Sequence, residues 1–256
     1  TNAVRINSDS GTTLTLSGGI TNGSIGLTFG GSGNTTVSTT AIGSGSGTLT
    51  KDGSGTLTLS AANTYTGLTT VSAGSLTYGI NDAISTGAVT VNGSTAILAL
   101  GTYTDTVGTV TLTEGSISST SGVLTGTSYT LNPATGKTVT VSAILAGSGA
   151  ITKSDLGTAN LSGVNTYSGN ITVNASGGTL AITGAGQLAS GSYSGTISIG
   201  SGSTFAYSSS ANQTLSGVIS GAGTLTKDTG GSSSLTLTNS NTYTGGTNIN
   251  AGTLIL

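Results

Sequence analysis

The chain has 256 residues, with five basic and seven acidic groups and a formal net charge of −2. It contains 45 glycines and no His, Cys, Met or Trp. This composition excludes Ser-His-Asp and Cys-His catalysis and the usual zinc ligands, and five basic residues are too few to bind a nucleic-acid backbone. The hydrophobic fraction is 34%, and its alternation with Thr and Ser argues for an ordered chain rather than a disordered Gly/Ser-rich one.

Short stretches of strict alternation between apolar and hydroxyl residues follow one another along the chain. They occur at 55–60 (GTLTLS), 88–92 (AVTVN), 109–115 (TVTLTEG), 138–142 (TVTVS) and 195–200 (GTISIG). A period of two places the apolar side chains on one face of a strand and the hydroxyls on the other. No stretch shows the periodicity of an amphipathic helix, so the sequence predicts an all-β fold.

Short glycine-containing turns join these strands. They lie at 71–76 (VSAGSL), 173–180 (VNASGGTL) and 249–254 (INAGTL), and the single proline, Pro133, lies in a further turn, NPATG. Glycine supplies the backbone angles that such turns require. Many short strands with such turns fit a sandwich, a barrel or a solenoid.

Three related segments decide between these architectures. The segments 45–67, 147–169 and 221–245 share a lysine (Lys51, Lys153, Lys227), a tyrosine (Tyr65, Tyr167, Tyr243) and a closing glycine (Gly67, Gly169, Gly245). The lysines are separated by 102 and then 74 residues. Such unequal spacing favours a stack of variable coils over a closed barrel.

The run G-x-G-[TA]-[LI]-T-K…N-T-Y-[TS]-G, followed by [VI]-x-A-G-x-L, resembles the autotransporter-associated β-strand repeat, also called the passenger-associated transport repeat. Three copies cover about 45–78, 147–183 and 221–256. The resemblance implies a right-handed parallel β-helix with coils of about 22 residues. It also implies a surface protein secreted by a Gram-negative bacterium, with no catalytic residues and no cofactor.

On this basis we expect residues 1–256 to form one continuous, rod-shaped β-helix segment. The second copy departs from the pattern at 153–162 (KSDLGTANLS), where the acidic residue follows the lysine by two residues and Ala159 interrupts the alternation. This departure predicts a bend or bulge in the second copy.

The repeat concentrates charge, because the three lysines and Asp52, Asp155 and Asp228 make up six of the twelve charged residues. We expect these residues to mark a solvent-exposed corner, where Lys51→Ala would cost under about 1 kcal/mol. The alternative is a binding ladder for an anionic glycan. The repeat tyrosine is expected to anchor the corner, with its ring on the core and its hydroxyl on the backbone, rather than to form a ligand platform.

Two other functions remain open beside a structural stalk or fibre in adhesion or matrix. A polysaccharide-acting enzyme needs two nearby carboxyls, and Asp105 and Glu114 would have to meet across one turn. Ice binding would need Thr-x-Thr triplets at one coil spacing, which the triplets at 48–50, 56–58 and 224–226 do not have. A calcium-site resemblance at 30–35 (GGSGNT) has Asn34 where an aspartate is required.

The expected partners are further β-helix coils, from the same chain or from a head-to-tail copy, and host or matrix glycans or proteins. No run of 18 apolar residues is present, so we expect no direct membrane insertion by this segment. Because the sequence has no Met and no signal peptide, we interpret it as a fragment, a processed form or the ordered part of something longer. Both ends read as strands without a polar cap, so we expect each end to abut more β-helix, in the same long chain or in the next copy of a head-to-tail filament.

Overall fold

A computed structural model describes residues 3–228 and 233–256. The chain divides into two compact units, Thr1–Gly126 and Thr127–Leu256. The described residues contain strands and turns, with a single 3-10 turn at Ala189–Gly191 as the one helical segment. The prediction of an all-β fold is therefore confirmed.

Unit 1 consists of short strands, most of three to five residues, followed by two long ones. They are β1 (Val4–Ser8), β2 (Thr13–Leu16), β3 (Ile20–Thr21), β4 (Leu27–Gly31), β5 (Asn34–Val37), β6 (Ile42–Gly43), β7 (Leu49–Lys51), β8 (Thr56–Leu59), β9 (Thr69–Val71), β10 (Ser75–Tyr78), β11 (Val89–Gly101) and β12 (Asp105–Ser119). Strand β13 (Val123–Leu131) follows.

The strands of unit 1 pair in parallel with the strands one coil away. The first ladder runs β1, β4, β7, β9, β11 and β12. The second runs β2, β5, β8, β10 and the second half of β11. Strands β3 and β6 form a third, shorter ladder. In the first ladder, equivalent positions are 4, 27, 49, 69, 89 and 110, so coils contain 20 to 23 residues.

Unit 2 repeats this organisation. Its further strands are β14 (Thr138–Val141), β15 (Ile144–Ala146), β16 (Ile151–Lys153), β17 (Thr158–Leu161), β18 (Ile171–Val173), β19 (Thr179–Gly184), β20 (Ser192–Tyr193), β21 (Ile197–Ile199), β22 (Thr204–Ser209), β23 (Gln213–Leu215), β24 (Ile219–Gly221), β25 (Thr224–Lys227), β26 (Ser234–Leu237), β27 (Thr247–Ile249) and β28 (Thr253–Ile255).

Three parallel ladders also build unit 2. The first runs β13, β16, β18, β21 and β24, the second runs β14, β17, β19, β22, β25 and β27, and the third runs β20, β23, β26 and β28. Lys153 closes β16 in the first ladder, whereas Lys227 closes β25 in the second. The second and third repeat copies therefore lie on different faces of the coil.

Alternation of side chains between core and surface produces this architecture. In β8, Leu57 and Leu59 are buried while Thr56 and Thr58 are partly exposed. Each inward residue stacks on the inward residue of the next coil, as Leu57 does on Leu76. A single coil could not bury this apolar row, but stacked coils make it continuous. The predicted parallel β-solenoid is confirmed, and the residues that the structure describes make about 12 turns of it.

In the second copy, where a bend or bulge was predicted within 153–162, the strand is regular at Ala159. Ala159 is fully buried and pairs with Val139 in the uninterrupted register of β14 and β17. A small side chain fits the core there without shifting the strand. The irregular backbone lies four residues earlier, at Asp155, where φ is 62°. Register shifts occur instead between β11 and β12, around Asn92 and Gly101.

The glycine that closes each repeat lies where the preceding coil leaves no room for a side chain. A Cβ at Gly67 would be 2.3 Å from the carbonyl oxygen of Gly47. The same holds at Gly169 against Gly149 (2.2 Å) and at Gly245 against Gly223 (1.9 Å). These distances lie far inside van der Waals contact, so the position requires glycine for close backbone approach rather than for a turn angle.

The adjacent residues Gly245 and Gly246 provide a matched test of this constraint. Gly245→Ala should lower the free energy of unfolding by roughly 1–3 kcal/mol, because the backbone of Gly223 cannot move aside without disturbing the ladder. At Gly246 a Cβ meets nothing within 4 Å, so Gly246→Ala should change stability by less than about 0.5 kcal/mol. Urea denaturation of both variants checks this. Equal losses would contradict the steric explanation.

Candidate functional site

The three repeat lysines are buried in the core. Lys51 is 2% exposed, and Lys153 and Lys227 are 0% exposed. In β7, Leu49 and Lys51 lie two residues apart and so face the same side of the strand. Lys51 pairs with Phe29 on one side and Val71 on the other. The predicted solvent-exposed corner is therefore wrong for the lysines.

The ammonium group of Lys153 is held by backbone carbonyls. Lys153 Nζ donates to the carbonyl oxygens of Ser154 (2.6 Å), Asp155 (2.7 Å) and Gly177 (2.6 Å). The first two belong to the turn that follows its own strand, and the third belongs to the corresponding turn of the next coil. One buried cation thus joins two stacked turns, with charge-assisted hydrogen bonds that are stronger than neutral ones.

The other two lysines occupy the same place in their repeats. Lys51 Nζ donates to the carbonyl of Gly53 in its own turn and to that of Ala73 in the next coil, at 3.2 Å. The Lys227 ammonium lies against the glycine turn at Gly252. It is also 5.8 Å from the centre of the Tyr207 ring, within the range of a cation–π interaction.

Burial changes the acid–base properties of these lysines. Removal from water lowers the pKa of Lys153 to about 8 and lowers the pKa of Lys51 and Lys227, while the neighbouring aspartate opposes the change in each case. The carbonyl acceptors around Lys153 also favour the ammonium form, because a neutral amine has one fewer proton to donate. The groups around Lys153 therefore suit a charged lysine at neutral pH.

The repeat aspartates remain at the surface, as predicted. Asp52 forms a bidentate ion pair with Arg5, with N–O distances of 2.6 and 3.0 Å. The Arg5 side chain is 48% exposed and that of Asp52 is 31% exposed, so solvent screens the pair and it contributes little to stability. The pairing raises the pKa of Arg5. Lysine and aspartate of the repeat thus have separate environments.

The rings of two repeat tyrosines lie in the core. Tyr65 and Tyr167 are fully buried. The Tyr167 hydroxyl donates to the Asn170 carbonyl and accepts from the Ile151 amide at 2.9 Å, in keeping with the predicted backbone anchor. The Tyr65 hydroxyl instead bonds the hydroxyl of Thr69 at 2.8 Å.

Tyr243 makes the corresponding bond to Thr247 at 2.7 Å but is only half-buried, since it lies in the last coil of this sequence. In unit 2 Tyr167 also packs edge-on against Tyr129 and stacks on Tyr193, with ring centres 6.1 and 6.2 Å away. The ring of the repeat tyrosine is a packing element of the core.

The repeat asparagine completes the site and was missed by the sequence analysis. Asn63 is 5% exposed and accepts from the Ile42 amide at 2.7 Å while its amide donates to the Ala83 carbonyl. Asn165 makes equivalent bonds to the Leu145 amide (2.8 Å) and the Gln187 carbonyl (3.1 Å). The sequence does contain a signal for this burial, since Asn and Tyr in N-T-Y are two residues apart and so share the inward face.

The carboxyls offered for catalysis are not brought together. Asp105 and Glu114 lie on the single strand β12, with continuous strand between them instead of a turn. Asn34, the residue of the calcium-site resemblance, accepts a hydrogen bond from the Thr56 amide at 3.0 Å and so links two coils. Among the described residues, no group of three His, Cys, Asp or Glu is placed to hold a metal ion.

No helix in the described ranges is both long and apolar enough to span a bilayer. The groups of the repeat bind one another and the backbone of adjacent coils. In each copy, one ammonium group, one carboxamide and one phenol thus hold adjacent coils together.

Stacked parallel ladders with polar side chains directed into the core define a β-solenoid repeat protein. The model of the passenger-associated-transport-repeat matches three segments of the chain, 49–77, 151–182 and 230–256. The chain therefore carries three of these repeats, as the resemblance indicated. No curated protein and no solved structure matches the chain.

The role of the buried ammonium can be tested with Lys153→Met, which keeps the length and apolar stem of the side chain. Three carbonyls would lose their donor, and we expect the free energy of unfolding to fall by roughly 2–4 kcal/mol. The control is Lys137→Met at an exposed lysine, expected to change stability by less than about 0.5 kcal/mol. Urea denaturation followed by circular dichroism measures both. A loss no larger than that of the control would show that the carbonyl contacts do not stabilise the fold.

Proposed function

We propose that the chain is a rigid structural module, a stalk or fibre, of a secreted autotransporter-like protein on the surface of a Gram-negative bacterium, serving adhesion or an extracellular matrix. In this proposal the segment has no enzymatic activity. The three repeats and the β-solenoid fold support a passenger-like structural module. The location and the adhesive or matrix role are parts of the proposal.

The observation that carries the proposal is the contact of each repeat lysine with the turns of two stacked coils. Lys153 bonds its own turn and that of the following coil, and Lys51 does the same. Lysine side chains that could contact a ligand at the surface of a binding protein are here buried in the core and bound to backbone carbonyls. A module that places its polar groups inside and threonine hydroxyls outside is suited to spacing and rigidity.

The proposed partners of the module include further β-solenoid coils. Ile249 continues the inward column of Tyr207 and Lys227, yet 55% of its surface is exposed. In the other coils of unit 2, an inward residue at this position is covered by the next coil. We expect such a coil, from the same chain or from a head-to-tail copy, to pair with β27, since uncovered strand edges invite pairing. Host or matrix glycans or proteins complete the proposed partners.

Substitutions on the two kinds of surface separate these roles in the full-length protein displayed on cells. Thr152→Glu alters an outward residue of the first ladder of unit 2 and should leave surface display, protease resistance and cell adhesion unchanged. Ile249→Lys places a charge against the proposed next coil and should lower protease resistance at least severalfold. Whole-cell immunolabelling and limited proteolysis measure the outcome.

Loss of adhesion in Thr152→Glu with normal display would mean that the face itself binds the target, against the stalk proposal. An unchanged protease resistance in Ile249→Lys would contradict the covering coil. Labelling that appears only after the outer membrane is permeabilised would contradict the surface location.

Ice binding is a second candidate, and the register of the ladders favours it. The triplets at 48–50 and 56–58 lie on different ladders of one coil, so they do not form an array. Outward threonines of successive coils do align, since the first ladder of unit 1 pairs Thr28, Thr50, Thr70, Thr90 and Thr111 in register. Their spacing is that of adjacent strands, about 4.8 Å. Such a regular column of hydroxyls and methyls can order water.

Thermal hysteresis of the purified chain tests this candidate. Ice binding through this column requires measurable hysteresis that Thr70→Lys abolishes and that Thr39→Lys, at an exposed residue outside the strands, leaves unchanged. The absence of hysteresis in the parent chain excludes it, and equal effects of the two substitutions exclude this face.

A further inference from the structure

Asp105 occupies a corner of unit 1 where other coils place a carboxamide. The Ile84 amide donates to Asp105 Oδ2 at 3.0 Å, just as the Ile42 amide donates to Asn63 Oδ1 at 2.7 Å. Both pairs are 21 residues apart. Gln213 in unit 2 has the same role, accepting from the Leu188 amide at 2.8 Å.

The carboxamides at these corners both accept and donate. The side-chain amide of Asn63 donates to the backbone carbonyl of Ala83. In the same way, Asn165 donates to the backbone carbonyl of Gln187 and Gln213 to that of Thr214. An ionised carboxylate can only accept, whereas a protonated carboxyl accepts and donates as a carboxamide does. Asp105 therefore matches the other corners only in its neutral form.

The surroundings of Asp105 oppose a negative charge. The residue is 2% exposed, and neither its Oδ1 atom nor the neighbouring Tyr78 hydroxyl has a hydrogen-bond partner of good geometry among the described residues. Asp82 adds a second negative charge nearby, and Tyr78, itself next to Tyr65, is the other titratable neighbour. No basic group acts on this carboxyl. A buried charge without a countercharge is strongly unfavourable.

We propose that Asp105 is a protonation-dependent link between coils of unit 1, which holds the corner at Ile84 when the carboxyl is neutral and weakens it when the carboxyl is ionised. A surface cavity of about 300 Å³, lined by Asp82, Ile84, Ser85 and Asp105 among others, gives protons a route to the group. The corner is thus a pH-sensitive point in the stack of coils.

The direction of the effect follows from linkage. Burial raises the pKa of Asp105 from 3.8 to about 6, and the hydrogen bond from the Ile84 amide only partly offsets this rise. Between these two values the folded chain binds more protons than the unfolded chain, so stability falls as pH rises through this interval and levels off above it. A shift of about two pKa units corresponds to a change of up to about 100-fold in the opening equilibrium.

Hydrogen exchange of the Ile84 amide, corrected for intrinsic rates, tests the proposal in the purified chain. Protection at pH 4.5 should exceed that at pH 7.5 by roughly 10- to 100-fold. Asp105→Asn should remove this difference and keep high protection at both pH values. The Ile42 amide, bonded to Asn63, should show no such pH dependence in the parent chain.

A reciprocal variant keeps the test decisive if Asp105→Asn folds poorly. Asn63→Asp should transfer the same sign of pH dependence to the Ile42 amide, because it places a carboxyl at an equivalent corner. Persistence of the pH dependence in Asp105→Asn would overturn the proposal. So would a parent chain whose Ile84 protection is equal at both pH values, or an Asn63→Asp chain whose Ile42 protection does not change with pH.

Discussion

Backbone pairing between adjacent coils is the constraint on which each unit depends. Strands within the stack have their N–H and C=O groups paired with the coils before and after them, and this pairing fixes the register of their side chains. Within the stack, an inward position therefore lies between two other inward positions. Lys153, for example, lies between Leu131 and Val173. A polar residue in such a column must find its partners at the end of the strand, where the turn presents free carbonyls.

This constraint explains how the chain distributes its few charges. Three of its five basic residues point into the core, where the turn carbonyls satisfy the ammonium groups. The outer faces are left with rows of hydroxyls and little charge. Such a surface resists electrostatic attraction of nonspecific partners, while the interior carries directional bonds that specify which turns stack. These properties suit a module whose work is to hold a fixed geometry.

The repeat behaves as a local fastening device rather than as a fixed face of the solenoid. In unit 2 one copy places its lysine in the first ladder and the next copy places it in the second. Each copy supplies both the lysine and the following glycine turn that accepts from it, as Lys153 and Gly177 show. Because the partners lie within one coil of each other, a copy can begin at any face. The coils between copies use other corner residues, Gln213 and Asp105 among them.

The alternation of apolar and hydroxyl residues, as in GTLTLS, was enough to determine strands, and the repeated lysine, tyrosine and glycine were enough to indicate a solenoid. Lys51 lies two residues after Leu49, so the alternation also places the lysine on the inward face of the strand. Buried lysines are rare, and for this reason an exposed position was predicted instead. What the sequence could not supply is the identity of partners one coil away. Register between distant segments decides these partners. It places the Gly177 carbonyl at Lys153, leaves Asp105 Oδ1 without a partner and aligns Thr50 with Thr70. Coil lengths vary from 20 to 26 residues, and only the paired backbone decides which residues stack.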